Sequence, residues 1–146
     1  VSSYINSGNF FFNSSLRKEE LLVILERFLD KNYPFIKVFS LFTLEDYQND
    51  LASLPKWWSE DLYRKDVLFF TERLDKNILM TNISSFDLGD EILHIGQLGV
   101  YWGKYSKTSY NQTAYHRKLL KTPFYSNVTI RNARTFSNIG HFLRMK

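Results

Sequence analysis

Three residues near the end of the sequence have the chemistry of an anion-binding site. Arg131 and Arg134 flank Asn132, whose side chain can cap the start of a helix. The start of a helix presents N–H groups and partial positive charge to an anion, and arginine can bind phosphate or carboxylate through two parallel hydrogen bonds. These residues predict a site for a phosphorylated or otherwise anionic ligand.

A second basic group precedes that site in the sequence. Arg117, Lys118 and Lys121 fall within about one turn on one face of a predicted helix, because residues three or four apart are neighbours. Lys104 lies beside aromatic residues that can stack nucleobases. The predicted ligand-binding set is Lys104, Arg117, Lys118, Lys121, Arg131, Asn132 and Arg134. The alternative is a solvated basic face beside an ordinary asparagine cap, since solvated charge is common.

The charge of the chain is unevenly distributed. The 146 residues carry a formal net charge of +4, and the last acidic residue is Glu91. Residues 92–146 contain nine Lys or Arg, all three histidines and no acid. This pattern favours a phosphate, a nucleic acid or an acidic protein as partner. The alternative is that the acidic first part and the basic last part of the chain neutralise each other.

The sequence disfavours several other kinds of site. It has no cysteine, which excludes disulfides and thiolate metal sites, and its three histidines are too scattered for a metal site. Ser7 lies among turn-forming residues, without a nearby base or a nucleophile-elbow motif. Asp61 and Asp66 are interpreted as linker charges. We therefore predict no metal and no cofactor, identify no catalytic constellation, and leave open whether the chain is an enzyme.

The composition is that of a folded domain. Apolar residues make up 44% and aromatic residues 17% of the chain, which argues against disorder. The longest apolar runs are too short to span a bilayer, and no signal peptide is recognisable, so a cytoplasmic location is expected. The oligomeric state is not predicted.

The elements of the first part are predicted from local patterns. Residues 3–5 and 10–12 are β-prone and enclose turn-forming residues, which indicates a hairpin with Gly8 at positive φ. An apolar pattern at helical spacing follows, and residues 35–41 then alternate as a strand does. A capping-box pattern next to these residues begins a short helix.

The predicted fold class is α+β, with two ferredoxin-like (split βαβ) subdomains. Residues 66–130 have the element order β-α-β-β-α-β of that fold. Residues 3–41 have the same order without its first strand and helix. The predicted units are an incomplete N-terminal subdomain at 1–55, a connector at 56–65, and a C-terminal subdomain with a terminal helix at 66–146. Since the first strand of this fold is central, its absence is expected to leave unpaired strand edges.

Two motifs in the sequence resemble those of a known family. Residues 4–12, YINSGNFFF, resemble a YINSGN motif followed by apolar residues, and residues 129–135, TIRNART, resemble a C-terminal T-x-R-N-x-x-T motif. On these motifs the chain is similar to a bacterial domain-of-unknown-function family, number sixteen ninety-seven. The resemblance implies two ferredoxin-like subdomains and no established activity. Family members carry a further strand, helix and glycine-rich segment before the first motif, so the chain is expected to be N-terminally truncated relative to them.

These observations together predict a cytoplasmic protein that binds a small anionic ligand through its basic C-terminal surface. Two alternatives stay open: a nucleic-acid-binding module that uses the same surface, and an enzyme on an anionic substrate that is completed by the missing N-terminal segment. A steep salt dependence with little ligand selectivity would favour nucleic acid over one small anion.

Overall fold

The computed structural model describes residues 2–4, 8–107 and 121–144. These residues include two β-sheets and four α-helices. The strands are β1 (Ser2–Tyr4), β2 (Asn9–Phe11), β3 (Arg64–Phe70), β4 (Glu91–Ile95), β5 (Gly99–Lys104) and β6 (Val128–Asn132). The helices are α1 (Lys18–Asn32), α2 (Leu44–Ser53), α3 (Lys76–Ser84) and α4 (Ala133–Arg144), with short 3-10 helices at Lys56–Ser59 and Pro123–Asn127. The fold class is α+β, as predicted.

The central strand of the larger sheet is β3, and the strand order of that sheet is β4-β5-β3-β6. All three neighbouring pairs are antiparallel. β3 lies between β5 and β6, where the ferredoxin-like order places the first strand of the series. Its Val67 and Leu68 are both 0% exposed, because successive side chains of a strand point to opposite faces and both faces are covered here. The helix predicted between β5 and β6 falls mostly outside the described residues.

Each face of this sheet carries its own hydrophobic cluster. On one face, Leu68 and Trp102 pack in a cluster with Leu79 of α3. On the other, Phe69 packs against Phe136 of α4, with 6.1 Å between ring centroids. The sheet is therefore a layer between α3 on one side and α2 with α4 on the other.

The predicted first hairpin is confirmed. β1 and β2 pair in antiparallel fashion, with Tyr4 opposite Asn9. Gly8 has a φ of 77°, which is a turn conformation that residues with a Cβ rarely adopt. The turn residues 5–7 lie outside the described part of the chain.

The strand predicted at residues 35–41 is wrong. These residues form an irregular segment that is fixed to the larger sheet by side chains. Ser40 Oγ donates a hydrogen bond to the carbonyl oxygen of Phe70 at 2.9 Å and shares another with Thr129 Oγ1 at 2.6 Å. An alternating pattern gives a strand only where a neighbouring edge can pair with it. The predicted order β-β-α-β of residues 3–41 is therefore β-β-α in the structure.

The predicted connector at residues 56–65 contributes to the core of the larger sheet. Trp57 and Leu62 are buried in the same cluster as Phe136. Gly103 of β5 makes room for them, since a Cβ there would lie 2.6 Å from Leu62 and 2.9 Å from Trp57. The predicted connector therefore packs against the larger sheet through these two side chains.

A buried carboxylate fixes α2 to the larger sheet. Asp50 is 1% exposed and accepts hydrogen bonds from the backbone N–H groups of Gln97, at 2.8 Å, and Leu98, at 3.1 Å. The Tyr101 hydroxyl donates a third, at 2.5 Å. Three donors replace the water that the charge loses on burial, which is why a carboxylate can remain here.

Helix α1, in contrast, has no buried residue. Its Ile24 and Phe28 are 50% and 51% exposed. The Phe28 ring contacts Tyr33, at 5.9 Å between centroids, and Tyr33 contacts Phe35, which is 76% exposed. A helix of this length is marginal in water without tertiary packing, so α1 is the least supported helix of the described chain.

We expect amide hydrogen exchange to be slower in β3 than in α1. The amides of β3 lie between two paired strands and two hydrophobic clusters, whereas α1 can open locally without disturbing either cluster. Hydrogen exchange followed by mass spectrometry on the intact chain measures both segments at once. Equal protection of α1 and β3 would contradict this expectation.

Replacement of the buried carboxylate should destabilise the domain strongly. Asp50→Ala leaves three donors without an acceptor, and each costs about 1–3 kcal/mol when buried, so the free energy of unfolding should fall by at least about 3 kcal/mol. Denaturant unfolding followed by tryptophan fluorescence measures this. Gln48→Ala, at an exposed position of the same helix, is the control and should change stability by less than about 0.5 kcal/mol. Similar losses in both variants would show that the carboxylate is not the cause.

Candidate functional site

Strand β6 leads into α4 without a loop, and this junction carries three of the predicted site residues. β6 ends at Asn132, whose Oδ1 accepts a hydrogen bond from the backbone N–H of Thr135 at 2.8 Å, so the predicted helix cap is confirmed. The first turn of α4 contains no acidic residue and one arginine, Arg134, which is exposed. A cation at the positive end of a helix dipole is unfavourable by roughly 0.3–1 kcal/mol. A bound anion would reverse the sign of that interaction.

Arg131 lies in β6 and is held against the first hairpin. Its Nε donates a hydrogen bond to Asn9 Oδ1 at 2.9 Å, and its Nη1 donates to the carbonyl oxygen of Ile130 at 2.7 Å. Burial lowers the pKa of the Arg131 guanidinium, which nevertheless stays charged because arginine is not deprotonated in proteins. Asn9 belongs to the YINSGN segment and Arg131 to the TIRN segment, so this hydrogen bond joins two motifs that are 122 residues apart.

The strand register brings further charged residues to the same end of the larger sheet. Arg64 lies opposite Lys104 on β5, and Asp66 lies opposite Asn132 on β6. Directly opposite residues, and residues two apart on one strand, share a face of the sheet. Arg64, Asp66, Lys104 and Asn132 therefore share the face covered by α3, whereas Arg131 faces the side of α4.

Lys104 has a structural partner at this end of the sheet. It is 5% exposed, and its Nζ forms an ion pair with Asp90, which immediately precedes β4. Asp90 also accepts a hydrogen bond from Ser106 Oγ at 2.7 Å. The hydrogen bond from Lys104, followed by that from Ser106, lowers the pKa of Asp90. Because this pair holds the start of β4 against the end of β5, we leave Lys104 out of the proposed site.

The remaining predicted site residues precede β6. Arg117 and Lys118 lie outside the described residues. Lys121 is exposed and is followed by the 3-10 helix Pro123–Asn127, which leads into the opposite end of β6 from Asn132. That this basic group shares a face with Arg131 or Arg134 stays a prediction.

The interpretation of Asp66 as a linker charge is wrong. Asp66 lies in β3, is 3% exposed, and accepts a hydrogen bond from Arg64 Nε at 2.7 Å. Burial raises the pKa of Asp66, and the hydrogen bond from Arg64 opposes that shift. Near it, the buried Glu91 accepts a hydrogen bond from Trp102 Nε1 at 3.0 Å. The sequence did contain evidence that Asp66 is buried. Asp66 and Leu68 are two residues apart on one strand, which puts both side chains on the same buried face.

A cleft of about 200 Å³ lies between α1 and the end of β3, away from this junction. Its lining combines aromatic and aliphatic side chains with polar groups, among them Lys18, Glu72 and Lys76. Pockets for drug-sized ligands span about 300–1,000 Å³, so this cleft is smaller than such a pocket. Its charged residues are of both signs and therefore favour neither an anionic nor a cationic ligand. We therefore place the candidate site at the junction of β6 and α4.

The described ranges offer neither a metal-binding cluster nor a membrane-spanning helix. No group of three or more His, Cys, Asp or Glu residues there is placed to hold a metal ion. No helix among the same residues is both long and apolar enough to cross a membrane.

Comparisons with known proteins yield a family and a close structural relative. The pattern of the family described as protein of unknown function (DUF1697) matches residues 1–101. The structure is similar to that of a conserved bacterial protein from Streptococcus pneumoniae, with a TM-score of 0.95 and 53% sequence identity, over 98% of this chain and 79% of that chain. A search of curated proteins gave no match. Neither description states a ligand or a reaction.

Asp66→Asn should change how stability depends on pH. The pKa of Asp66 is raised in the folded state from about 3.8, so the folded protein holds this proton more tightly than the unfolded chain. The free energy of unfolding therefore loses a contribution as pH rises from the unfolded pKa through the folded one. Asp66→Asn removes that loss, which denaturant unfolding across the acid range measures.

Asp90→Asn is the matched variant of opposite sign. The folded pKa of Asp90 is lowered from about 3.8, so its stabilisation is present above the unfolded pKa and is lost as pH falls through the folded one. Asp90→Asn should therefore weaken stability near neutral pH and leave it unchanged in strong acid. If both variants shift the pH profile in the same direction, the assignment of these two carboxyl groups is wrong.

Proposed function

The chain belongs to the DUF1697 family, and we propose that it binds a small anionic ligand, such as a phosphate group, where β6 meets α4. The observation that carries the proposal is Arg134, an exposed cation in the first turn of a helix that has no acid in that turn. Its guanidinium makes no hydrogen bond or ion pair within the part of the chain that the structure describes. It is therefore available to an external anion.

Arg131 contributes a second positive charge at the same junction. Its hydrogen bonds to Asn9 and to the carbonyl oxygen of Ile130 hold the guanidinium in one position before any ligand binds. A side chain that is already ordered loses little conformational entropy on binding. Asn132 has a supporting role, because its cap keeps the first turn of α4 formed and its N–H groups oriented.

The surrounding charge also supports an anionic ligand. No acidic residue follows Glu91 in the sequence. Asp66, which lies opposite Asn132, is hydrogen-bonded to Arg64 and faces the α3 side of the sheet. This acid is therefore not placed to neutralise Arg134.

The nucleic-acid alternative receives less support from the sheet itself. Of the aromatic residues beside Lys104, Tyr101 and Trp102 are 0% and 3% exposed and belong to the two hydrophobic clusters, and only Tyr105 among these three is exposed. A sheet that binds RNA through aromatic residues needs those residues exposed. We therefore rank one small anion above a polymer that lies along the sheet.

Arg134→Ala should weaken the binding of inorganic pyrophosphate by about 10-fold or more, because a hydrogen bond to a charged group contributes about 1.5–3 kcal/mol. Isothermal titration at fixed ionic strength measures the affinity. Arg144→Ala is the control: it removes the same charge from an exposed position in the last turn of the same helix and should change the affinity little. Equal effects of the two variants would indicate unspecific attraction, and no binding of pyrophosphate by the unsubstituted protein would overturn the proposal.

A further inference from the structure

Residues 37–41, called here the unpaired segment, have the alternation of a strand but no strand beside them. Their backbone N–H and C=O groups make no backbone hydrogen bond within the described residues. Residues 38–41 are nevertheless half-buried. Backbone polar groups that lose contact with water are paired in nearly all folded proteins. The unpaired segment therefore presents a strand edge to which another strand can pair.

The first hairpin and the unpaired segment are attached to β6 two residues apart. Asn9 of β2 accepts a hydrogen bond from Arg131, and Ser40 shares one with Thr129. Thr129 and Arg131 lie on one face of β6, about 7 Å apart. The sheet of β1 and β2 has no third strand in the part of the chain that the structure describes. The hairpin and the unpaired segment are thus held near each other without pairing.

Helix α1 connects β2 to the unpaired segment, as the crossover helix of a βαβ unit connects two strands. In a split βαβ unit, the two strands leave a gap for a third strand between them, and the helix packs on the resulting sheet. Here α1 buries no residue. Clefts of about 50 and 200 Å³ lie between α1 and the unpaired segment, the first lined by Leu29 and Val38 and the second by Leu22 and Leu41. A strand in the gap would fill the space that leaves α1 unsupported.

A second side of α1 is apolar and exposed. Ile24 and Phe28 lie on a different side from the leucines that line the clefts, because successive residues of a helix are about 100° apart. Phe28 continues this surface through ring contacts to Tyr33 and from there to Phe35. Neighbouring exposed apolar side chains of this kind mark protein interaction surfaces. A strand beneath α1 does not reach this side, so a second element is needed to cover it.

We propose that this surface binds a polypeptide segment that supplies one strand and one helix with an apolar face. The strand pairs with the unpaired segment beneath α1, and the helix covers Ile24 and Phe28. The occupant is a segment equivalent to the part of the Streptococcus pneumoniae relative that lies outside the match.

The length of that part supports this occupant. The match covers 98% of the present chain and 79% of the relative, so about a fifth of the relative lies outside it. That remainder is roughly a quarter as long as the present chain. It is long enough for one strand, one helix and their connections, since a mean strand has about 5–6 residues and a mean helix about 11–12.

The test adds that part of the relative, prepared as a separate polypeptide, to the full 146-residue chain. Hydrogen exchange followed by mass spectrometry compares the free and the saturated protein. We expect the amides of residues 37–41 and of α1 to exchange about 10-fold or more slowly in the complex, because pairing and packing suppress local opening. Protection of α1 alone would overturn the strand pairing, and no binding by the unsubstituted chain would overturn the proposal.

Two adjacent substitutions on α1 test the helix contact. Ile24→Asp should weaken binding of the added polypeptide by about 10-fold or more, because the side chain is buried in the complex. Val23→Asp is the matched control, since Val23 is 48% exposed, Ile24 is 50% exposed, and the two point about 100° apart. Equal losses in both variants would overturn the proposed contact. Sedimentation that shows self-association of the unsubstituted chain, abolished by Ile24→Asp, would overturn the proposed occupant and assign the surface to a second copy.

Discussion

The buried carboxylate of Asp50 joins the first part of the chain to the larger sheet, and the positions of the other elements depend on it. Its three donors belong to the β4–β5 turn and to β5. A shift of α2 would leave a charge and three donors unpaired inside the protein, at a cost of several kcal/mol. The close approach of Asp50 also requires glycine at position 96, since a Cβ on Gly96 would lie 2.6 Å from the carboxylate. One charged group thus fixes the register of α2 on the sheet.

The same helix fixes α4, and through it the candidate site. Tyr47 lies one turn before Asp50, and its hydroxyl donates a hydrogen bond to the carbonyl oxygen of Phe136 at 2.8 Å. Its ring occupies the space that a Cβ on Gly140 would need, at 2.5 Å from the hydroxyl oxygen. Burial raises the pKa of Tyr47, so the phenol keeps its proton and remains a donor. Arg134 precedes the buried Phe136 by two residues on the same helix. The packing of Phe136 in the core therefore fixes the position of the Arg134 backbone.

Local sequence patterns predicted correctly those elements whose conformation depends on neighbouring residues. They failed where the conformation depends on pairing between segments that are distant in the sequence. The turn at Gly8 follows from residue types within a few positions. Residues 35–41 have the alternation of a strand, but no sequence pattern says whether a neighbouring edge exists. Lys104 was predicted as a ligand cation, and only the fold brings Asp90 to it. Arg131 and Asn9 are 122 residues apart in the sequence. Both residues were recognisable in their motifs, but the hydrogen bond between them could not be predicted from local patterns.

The starts of the four α-helices in the described chain differ in one respect that bears on function. α1 and α2 each place two acidic residues in the first turn, and α3 is capped by a carboxylate, that of Asp75. These three choices favour helix stability, because negative charge suits the positive end of the dipole. α4 has Arg134 at that position and no acid. Since α4 buries Phe136 and Ile139, its packing can offset a loss of roughly 0.3–1 kcal/mol at its start. Departures from local stability rules concentrate at functional sites. The start of α4 is such a departure, because among the four described helices it alone lacks a carboxylate there and it leaves a cation exposed.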